Sequence, residues 1–120
     1  MNKLLTCHCG AVEMDVLLDG GELKNIRRCA CSLCSRKGYI MASVPIDNLK
    51  VTKGVESLSV YKWGTQSAAH YFCNQCGVYT HHKRKSNPNE LGINIACFDF
   101  VDVDTIKDIP YGNGDICLMV

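Results

Sequence analysis

The sequence has little excess charge and no long apolar stretch, and each of these absences removes a class of function. Thirteen lysines and arginines stand against twelve aspartates and glutamates, which leaves a formal net charge of +1 and a pI near 7.5. A dedicated nucleic-acid-binding domain usually has a pI above about 9, so nucleic acid is not an expected partner. The apolar runs are far shorter than the roughly 20 residues of a membrane-spanning helix, so no membrane contact is expected.

Signals for secretion and for a second domain are also missing. Leu4 and Leu5 are followed directly by polar Thr6, so the first residues lack the apolar segment of a signal peptide. No stretch is repeated or low in complexity, and 120 residues is an ordinary length for one domain. We therefore expect residues 1–120 to form a single domain that is located in the cytoplasm.

Helical periodicity is equally scarce, whereas a two-residue alternation of apolar and polar side chains runs through much of the chain. Val12, Met14 and Val16 share one parity, with acidic residues between them, which is typical of a half-buried strand. The alternation predicts eight or nine short antiparallel strands and little helix. The expected fold is therefore all-β, with packed antiparallel sheets.

Turn residues predict how some of these strands connect. Asp19-Gly20-Gly21 indicates a tight turn that makes residues 23–28 the hairpin partner of the strand before it. Residues 68–72 and 78–83 are predicted to form a second hairpin, with cysteines at its tip. Asp104 is the expected cap of a single helical turn over residues 104–108.

What the sequence does have is cysteine, at nine of its 120 positions. The odd count and the expected cytoplasmic location, where thiols stay reduced, argue against a disulfide framework. Small β domains often have too small an apolar core and need an additional cross-link, which a bound metal can provide. Seven of the nine cysteines fall into three groups: Cys7-His8-Cys9, Cys29-Ala30-Cys31-Ser32-Leu33-Cys34 and Cys73-Asn74-Gln75-Cys76.

The first and third groups together supply the four ligands of a closed tetrahedral zinc site, which is the structural kind. These ligands are Cys7, Cys9, Cys73 and Cys76. The middle group supplies only three thiolates, so an ion held there keeps one exchangeable position, as in reactive zinc sites. We therefore expect two zinc ions per chain, one structural and one labile, with the labile ion at Cys29, Cys31 and Cys34.

The spacing leaves other assignments open. Cys31 and Cys34 could instead join Cys7 and Cys9 in one site, and iron–sulfur clusters also use four thiolates. Cys97 is expected to be a small buried apolar residue, with the fourth ligand of the second ion as the alternative. Cys117 is expected to contribute only packing.

The three groups, in this order, resemble the family of glutathione-dependent formaldehyde-activating enzymes and centromere protein V. The resemblance extends from about residue 4 to about residue 104. It is carried by Cys7-His8-Cys9-Gly10-Ala11-Val12, Arg28-Cys29-Ala30-Cys31-Ser32-Leu33-Cys34-Ser35-Arg36-Lys37-Gly38, Tyr61-Lys62-Trp63-Gly64-Thr65, His70-Tyr71-Phe72-Cys73-Asn74-Gln75-Cys76-Gly77 and Ser86-Asn87-Pro88.

The resemblance implies a β-tent fold with a structural zinc on the outer cysteine groups and a second zinc on the middle group. It also implies a carbon–sulfur lyase that condenses formaldehyde with glutathione to S-hydroxymethylglutathione, with Cys29, Cys31 and Cys34 at the catalytic centre. Glutathione or a similar small thiol is the expected partner. Arg36 and Lys37 could bind a glutathione carboxylate. The alternative function is a non-catalytic, zinc-stapled module that binds protein or nucleic acid.

The four histidines differ in the roles expected of them. His8 is expected to point away from a metal held by its two cysteine neighbours, and His70 is expected to be a packed or hydrogen-bonded residue. His81 and His82 are consecutive on a strand and should face opposite sides. One of these two could donate a proton to a developing alkoxide.

Overall fold

The computed structural model of the protein describes residues 1–62, 68–83 and 88–112. Residues 63–67, 84–87 and 113–120 lie outside this description, and with them the expected packing of Cys117. The described residues form ten strands, one short α-helix and five 3-10 turns. The strands are β1 (Asn2–Thr6), β2 (Glu13–Leu17), β3 (Lys24–Cys29), β4 (Met41–Pro45), β5 (Leu49–Lys53), β6 (Leu58–Tyr61), β7 (Ala69–Cys73), β8 (Tyr79–Lys83), β9 (Glu90–Asn94) and β10 (Tyr111–Gly112); the helix is α1 (Ser32–Lys37).

The strands assemble into two sheets. The smaller sheet has the order β1-β2-β5, and the larger one has the order β10-β3-β4-β9-β8-β7-β6. Neighbouring strands are antiparallel, except that the two-residue strand β10 runs parallel to β3. The expected all-β fold with antiparallel sheets is therefore confirmed. None of the described helices has the length and apolar character needed to cross a membrane.

The main core lies between the two sheets, and strand periodicity accounts for its composition. On β2 and just before it, Val12, Met14 and Val16 are completely buried, as their shared parity predicts. They belong to the same apolar cluster as Ala42 of β4 and Ile93 of β9 in the larger sheet. Burial of this apolar surface is the main source of stability for the pair of sheets.

Strand β4 is buried on both of its faces, so it separates two apolar clusters. Ala42 and Val44 face the main core. Met41, which has the opposite parity, belongs to a second cluster together with Tyr39 and Tyr79. The larger sheet therefore offers two buried environments, and each of them contains cysteines.

The expected hairpin at Asp19-Gly20-Gly21 is wrong. Strand β2 pairs with β1 and β5, whereas β3 pairs with β4 and β10. Residues Asp19–Gly21 form a 3-10 turn in which Gly20 adopts a left-handed conformation, with a φ of 64°. This turn carries the chain from one sheet to the other, so the sequence neighbours β2 and β3 are not paired.

Two helical segments also differ from expectation. The turn expected over residues 104–108 is a 3-10 turn at Val103–Thr105, and its cap is Asp102, whose carboxylate accepts the backbone N–H of Asp104 at 3.1 Å. The α1 helix was not expected, because six residues are too few to display helical periodicity. It begins beyond Cys31 and ends at Gly38, whose φ of 65° and N–H bond to the Cys34 carbonyl terminate the helix.

Candidate metal centres

The first cysteine group is assembled from two loops that are distant in sequence. Cys7 and Cys9 follow β1, Cys73 is the last residue of β7, and Cys76 lies in the turn that leads to β8. The turn is closed by a bond of 2.7 Å from the Gly77 N–H to the Cys73 carbonyl oxygen. The hairpin that the sequence predicts around these cysteines is present, with β7 and β8 paired antiparallel.

The sulfur positions fit a tetrahedral metal site. The Sγ atoms of Cys7 and Cys9 are 3.7 Å apart, as are those of Cys9 and Cys73, and all four sulfurs lie within 4.8 Å of one another. Zinc–sulfur bonds of about 2.3 Å place the corners of a tetrahedron roughly 3.8 Å apart. The backbone N–H of Val12 also points at the Cys7 sulfur, at 3.3 Å. These four residues could therefore hold a zinc ion without rearrangement.

The four thiols cannot all ionise freely without a cation between them. Desolvation opposes ionisation of Cys76, but hydrogen bonds to the backbone at Cys9 and Val78 lower its pKa to about 6. Cys9 behaves in the opposite way: a backbone hydrogen bond at Ala11 favours its thiolate, but desolvation and the neighbouring sulfurs raise its pKa to about 11. A divalent cation would compensate the repulsion among the thiolates.

The second cysteine group is local and buried. Cys29 ends β3, Cys31 caps α1, and Cys34 lies on the first turn of that helix; their sulfurs lie within 4.8 Å of one another. The Cys31 sulfur accepts the backbone N–H of Cys34 at 3.3 Å. Burial and the charge of Cys31 raise the pKa of Cys34 to about 12. The three residues could hold an ion that leaves its remaining coordination position to another ligand.

One feature corrects the expectation that all the thiols are reduced. Cys29 takes part in a disulfide in this structure, whereas Cys31 and Cys34 are free thiols. A disulfide forms where a fold brings two sulfurs within bonding distance. Because a metal ligand must be a thiolate, Cys29 can join the three-cysteine group as a ligand only in its reduced form.

The structure decides between the partitions that the spacing left open. Cys31 and Cys34 group with Cys29 and not with Cys7 and Cys9. Among the described residues, neither group of potential ligands includes Cys97. Its buried thiol donates to the Tyr79 carbonyl oxygen at 3.7 Å, and burial raises its pKa to about 12. Cys97 is thus a packed thiol outside both groups.

Arg36 and Lys37, the two basic residues expected to bind a carboxylate, occupy different positions at the end of α1. The exposed Arg36 guanidinium donates to the carbonyl oxygen of Ser32, one turn back along the helix, at 2.7 Å. The Lys37 ammonium group instead lies 4.3 Å from the centre of the Tyr79 ring. Desolvation lowers the pKa of Lys37, while the nearby Cys34 acts in the opposite direction. Lys37 is therefore the basic group on the side of the three cysteines.

Sequence reasoning missed two tyrosines that share the second cluster with the three cysteines. Tyr39 and Tyr79 are both buried there, and their hydroxyls are 3.3 Å apart. His70 and His82 hydrogen-bond to this pair, each at 3.0 Å. His81 faces away and stacks on Tyr71, with ring centres 4.5 Å apart.

A register shift explains why this cluster could not be found from alternation. Tyr71 pairs with His81, but the next residue, Phe72, pairs with Tyr79, so β8 carries an extra residue at Thr80. The resulting bulge brings Tyr79 and His82 into contact with the same partners, although their numbers differ in parity. The available signal was Tyr39, which directly follows Gly38, the residue that ends the helix of the cysteine group.

Two packed β-sheets with separate groups of four and three cysteines define a small β protein with two potential metal centres. A family model described as "Glutathione-dependent formaldehyde-activating enzyme" matches residues 4–109, and the chain belongs to this family. It is also similar to a crystal structure of a Rhodobacter sphaeroides protein, with a TM-score of 0.83 and 45% identity. That match covers 93% of this chain and 100% of the other. The family expected from the motifs is therefore confirmed.

Proposed function

We propose that this protein condenses formaldehyde with glutathione to give S-hydroxymethylglutathione, and that its reactive centre is formed by Cys29, Cys31 and Cys34. The observation that supports the proposal most strongly is the division of the cysteines into a group of four and a separate group of three. Four protein ligands close a zinc site, whereas three leave room for an exchangeable ligand. In this proposal Cys7, Cys9, Cys73 and Cys76 hold a structural zinc.

The chemistry requires a thiolate and a place to hold it. Formaldehyde is already a strong electrophile, but a free thiol with a pKa near 8.5 is mostly protonated at neutral pH and reacts poorly. Zinc held by the three cysteines would bind the sulfur of a thiol ligand and favour its thiolate form. Lys37, which lies over the Tyr79 ring beside the three cysteines, would attract the anionic thiol and bind one of its carboxylates.

The protein around the three cysteines would favour the proposed reaction by excluding water. Cys31 and Cys34 are 3% and 4% exposed, and the buried Tyr39 and Tyr79 share their cluster. Low polarity around the reacting sulfur strengthens its interactions with nearby charges and dipoles. The reducing conditions of a cytoplasmic location would keep Cys29 available as a thiolate.

The direct test is the rate of S-hydroxymethylglutathione formation by reduced, zinc-loaded protein, measured above the uncatalysed reaction of the same reagents. We expect a rate gain that scales with protein concentration and disappears in Cys31→Ser. In parallel, a zinc indicator should report about one ion released per chain at high glutathione concentration, because the four-cysteine site has no vacancy at which a thiol can attack.

S-methylglutathione is the matched control, because it retains both carboxylates but cannot form a thiolate. Equal zinc release by glutathione and by its S-methyl form would contradict the proposed thiolate chemistry. Absence of any rate gain with both sites loaded would favour the non-catalytic binding module or a different thiol adduct as substrate.

A further inference from the structure

A chain of buried hydrogen-bonding side chains lies against the three-cysteine group. The Nδ1 atom of His82 is 3.0 Å from the Tyr39 hydroxyl, which lies 3.3 Å from the Tyr79 hydroxyl, which in turn is 3.0 Å from Nδ1 of His70. All four side chains are at most 8% exposed. Tyr39 and Tyr79 pack in the same cluster as Cys29, Cys31 and Cys34.

The fold holds the two histidines of this chain in register. His70 and His82 are directly paired across β7 and β8, and their rings stack with centres 5.5 Å apart. On the other side of β8, His82 pairs with Gly92 of β9. A Cβ atom at Gly92 would overlap the imidazole ring of His82, so this position leaves room for the ring only because it is glycine.

The chain of hydrogen-bonded side chains ends at an atom that has no partner. Within the described part of the protein, Nε2 of His70 is the buried side-chain nitrogen or oxygen that makes no hydrogen bond. Leaving such a group buried and unsatisfied carries a free-energy cost. The His70 side chain is only 4% exposed, so bulk solvent does not offset this cost. Tyr79, which is hydrogen-bonded to His70, packs in the same cluster as the three cysteines, so the unsatisfied atom points to a group of a ligand bound at that centre.

The missing partner is not a metal ion shared with the cysteines. Among the described residues, the group of potential ligands around Cys29, Cys31 and Cys34 does not include His70. Nor does the ring favour an anionic partner, because burial and the charge of Lys37 lower the pKa of His70 to about 4. A neutral imidazole nitrogen in such a place is suited to a carbonyl or hydroxyl oxygen.

The hydrogen-bonded side chains can arrange their protons in two ways that satisfy every bond, because each hydroxyl has one proton to donate. In the first, His82 donates to Tyr39, Tyr39 to Tyr79 and Tyr79 to His70, so that Nε2 of His70 carries a proton. In the second, every bond is reversed and Nε2 is an acceptor. All four side chains remain neutral in both arrangements, so the same atom can either donate to an oxygen or accept from a hydroxyl.

We propose that Nε2 of His70 is the catalytic group that contacts the oxygen of the aldehyde adduct and exchanges a proton with it, an inference that rests on the proposed function. As the carbon–sulfur bond forms, the carbonyl π electrons move to oxygen, and this oxygen takes the proton from Nε2. Tyr79, Tyr39 and His82 each pass one proton along the chain. His82 regains a proton from solvent, which balances the proton that the thiol released when it ionised.

The test combines a rate with a spectroscopic readout on zinc-loaded protein. His70→Asn keeps a polar group near the Nδ1 position, where Tyr79 bonds, but removes the group at Nε2. His70→Gln retains an amide near Nε2 that can donate a hydrogen bond but cannot pass on a proton. We expect His70→Asn to lose the rate gain by at least about 100-fold, the usual scale of general acid catalysis, and His70→Gln to retain a fraction of it.

Zinc content and glutathione-induced zinc release should be unchanged in both variants, because thiol binding does not involve His70. The ring nitrogens of His70 can be followed by nitrogen-15 NMR in the wild type. An equilibrated mixture of formaldehyde and glutathione should shift the Nε2 resonance, whereas glutathione alone should leave it in place.

A second pair of variants covers the possibility that the His70 variants do not fold. Tyr79→Phe removes one hydroxyl from the chain and should lower the rate gain at least about tenfold. Tyr71→Phe makes the same change on the neighbouring strand, outside the chain, and should behave like the wild type.

The outcomes separate the two proposals. Wild-type rates in His70→Asn or in Tyr79→Phe, or a His70 resonance that ignores the adduct, would overturn the role of His70 and leave the proposed reaction standing. A shifted His70 resonance without any rate gain in the wild type would instead refute the reaction and support the contact with the adduct oxygen.

Discussion

The two cysteine groups of this protein lie on different sides of the larger sheet and are built in different ways. Cys7 and Cys73 belong to the main core between the sheets, and their group joins loops that are 64 residues apart between Cys9 and Cys73. Cys29, Cys31 and Cys34 belong to the smaller cluster and come from six consecutive residues at the start of α1. One group connects distant parts of the fold, whereas the other lies within a single short segment.

This difference separates stability from chemistry. A ligand set that closes a long loop removes much conformational freedom from the unfolded chain, so its metal contributes strongly to folding. A local set constrains little beyond its own turn and can exchange its metal without unfolding the domain. The hydrogen-bonding side chains also differ, because the Tyr39, Tyr79, His70 and His82 cluster adjoins only the local set. We therefore expect variants in the two groups to have separable effects.

The largest effect is expected from Cys76→Ser. Structural zinc contributes roughly 10–16 kcal/mol of apparent binding free energy, as much as or more than the ~5–15 kcal/mol net stability of a domain. Cys76 itself is only partly buried, so its loss acts through the metal and not through packing. The variant should be insoluble or unfolded by circular dichroism.

Cys97→Ser is the matched control, because it changes another cysteine in the same way outside both groups. It should give soluble protein with a cooperative thermal transition. A Cys76→Ser variant with a melting transition like that of the wild type would remove the structural role of the four-cysteine group.

A smaller but still large effect is expected from Gly54→Ala. Gly54 has a φ of 79°, and a Cβ there would overlap the carbonyl oxygen of Ala11, in the loop that follows Cys9. Left-handed strain and overpacking together should lower the free energy of unfolding by about 3 kcal/mol. Gly10→Ala introduces the same strain, at a φ of 80°, but meets no atom within 4 Å and should cost only about 1–2 kcal/mol. Equal losses in urea denaturation would show that Gly54 does not brace this loop.

The sequence was sufficient to predict the parts of the fold that depend on local pattern. Alternation identified the buried face of β2, and the cysteine spacing identified both groups and their separation. It failed where pairing is decided by tertiary contacts. The second partner of β2, besides β1, is β5, more than thirty residues further along the chain, because the 3-10 turn at Asp19–Gly21 sends the intervening chain to the other sheet. No local signal encodes such a choice.

The prediction of the candidate site from the sequence was incomplete for a related reason. The ligand groups are sets of one residue type at short spacing, which a sequence displays directly. The Tyr39, Tyr79, His70 and His82 cluster instead draws on residues beyond α1 and on two strands, and its register depends on a bulge at Thr80. A bulge reverses the parity of every residue beyond it, so strict alternation would place Tyr79 and His82 on opposite faces.

An intermediate effect, confined to the second group, is expected from Cys31→Ser. Serine is a good helix N-cap, so it can replace the Cys31 sulfur that accepts the Cys34 N–H, and α1 should persist. The hydroxyl is a much poorer zinc ligand than a thiolate. After reduction and zinc supplementation, metal analysis should give two ions per chain for the wild type and about one for the variant, with the thermal transition retained. A wild type that holds only one zinc under these conditions would contradict the second site.

The smallest effect is expected at the basic residues that end α1, and it tests whether the second group is shaped for an anionic thiol. The Lys37 ammonium lies over the Tyr79 ring beside the cysteines, whereas Arg36 is exposed and bonded to its own helix. A partly exposed ion pair is worth about 0.2–1 kcal/mol, so Lys37→Ala should raise the glutathione concentration needed for half-maximal zinc release by up to about fivefold. Arg36→Ala should leave it unchanged. The same titration with 2-mercaptoethanol, which has no carboxylate, should be insensitive to both substitutions. An equal effect of Lys37→Ala on both thiols would show that the lysine acts on the sulfur charge and not on a carboxylate.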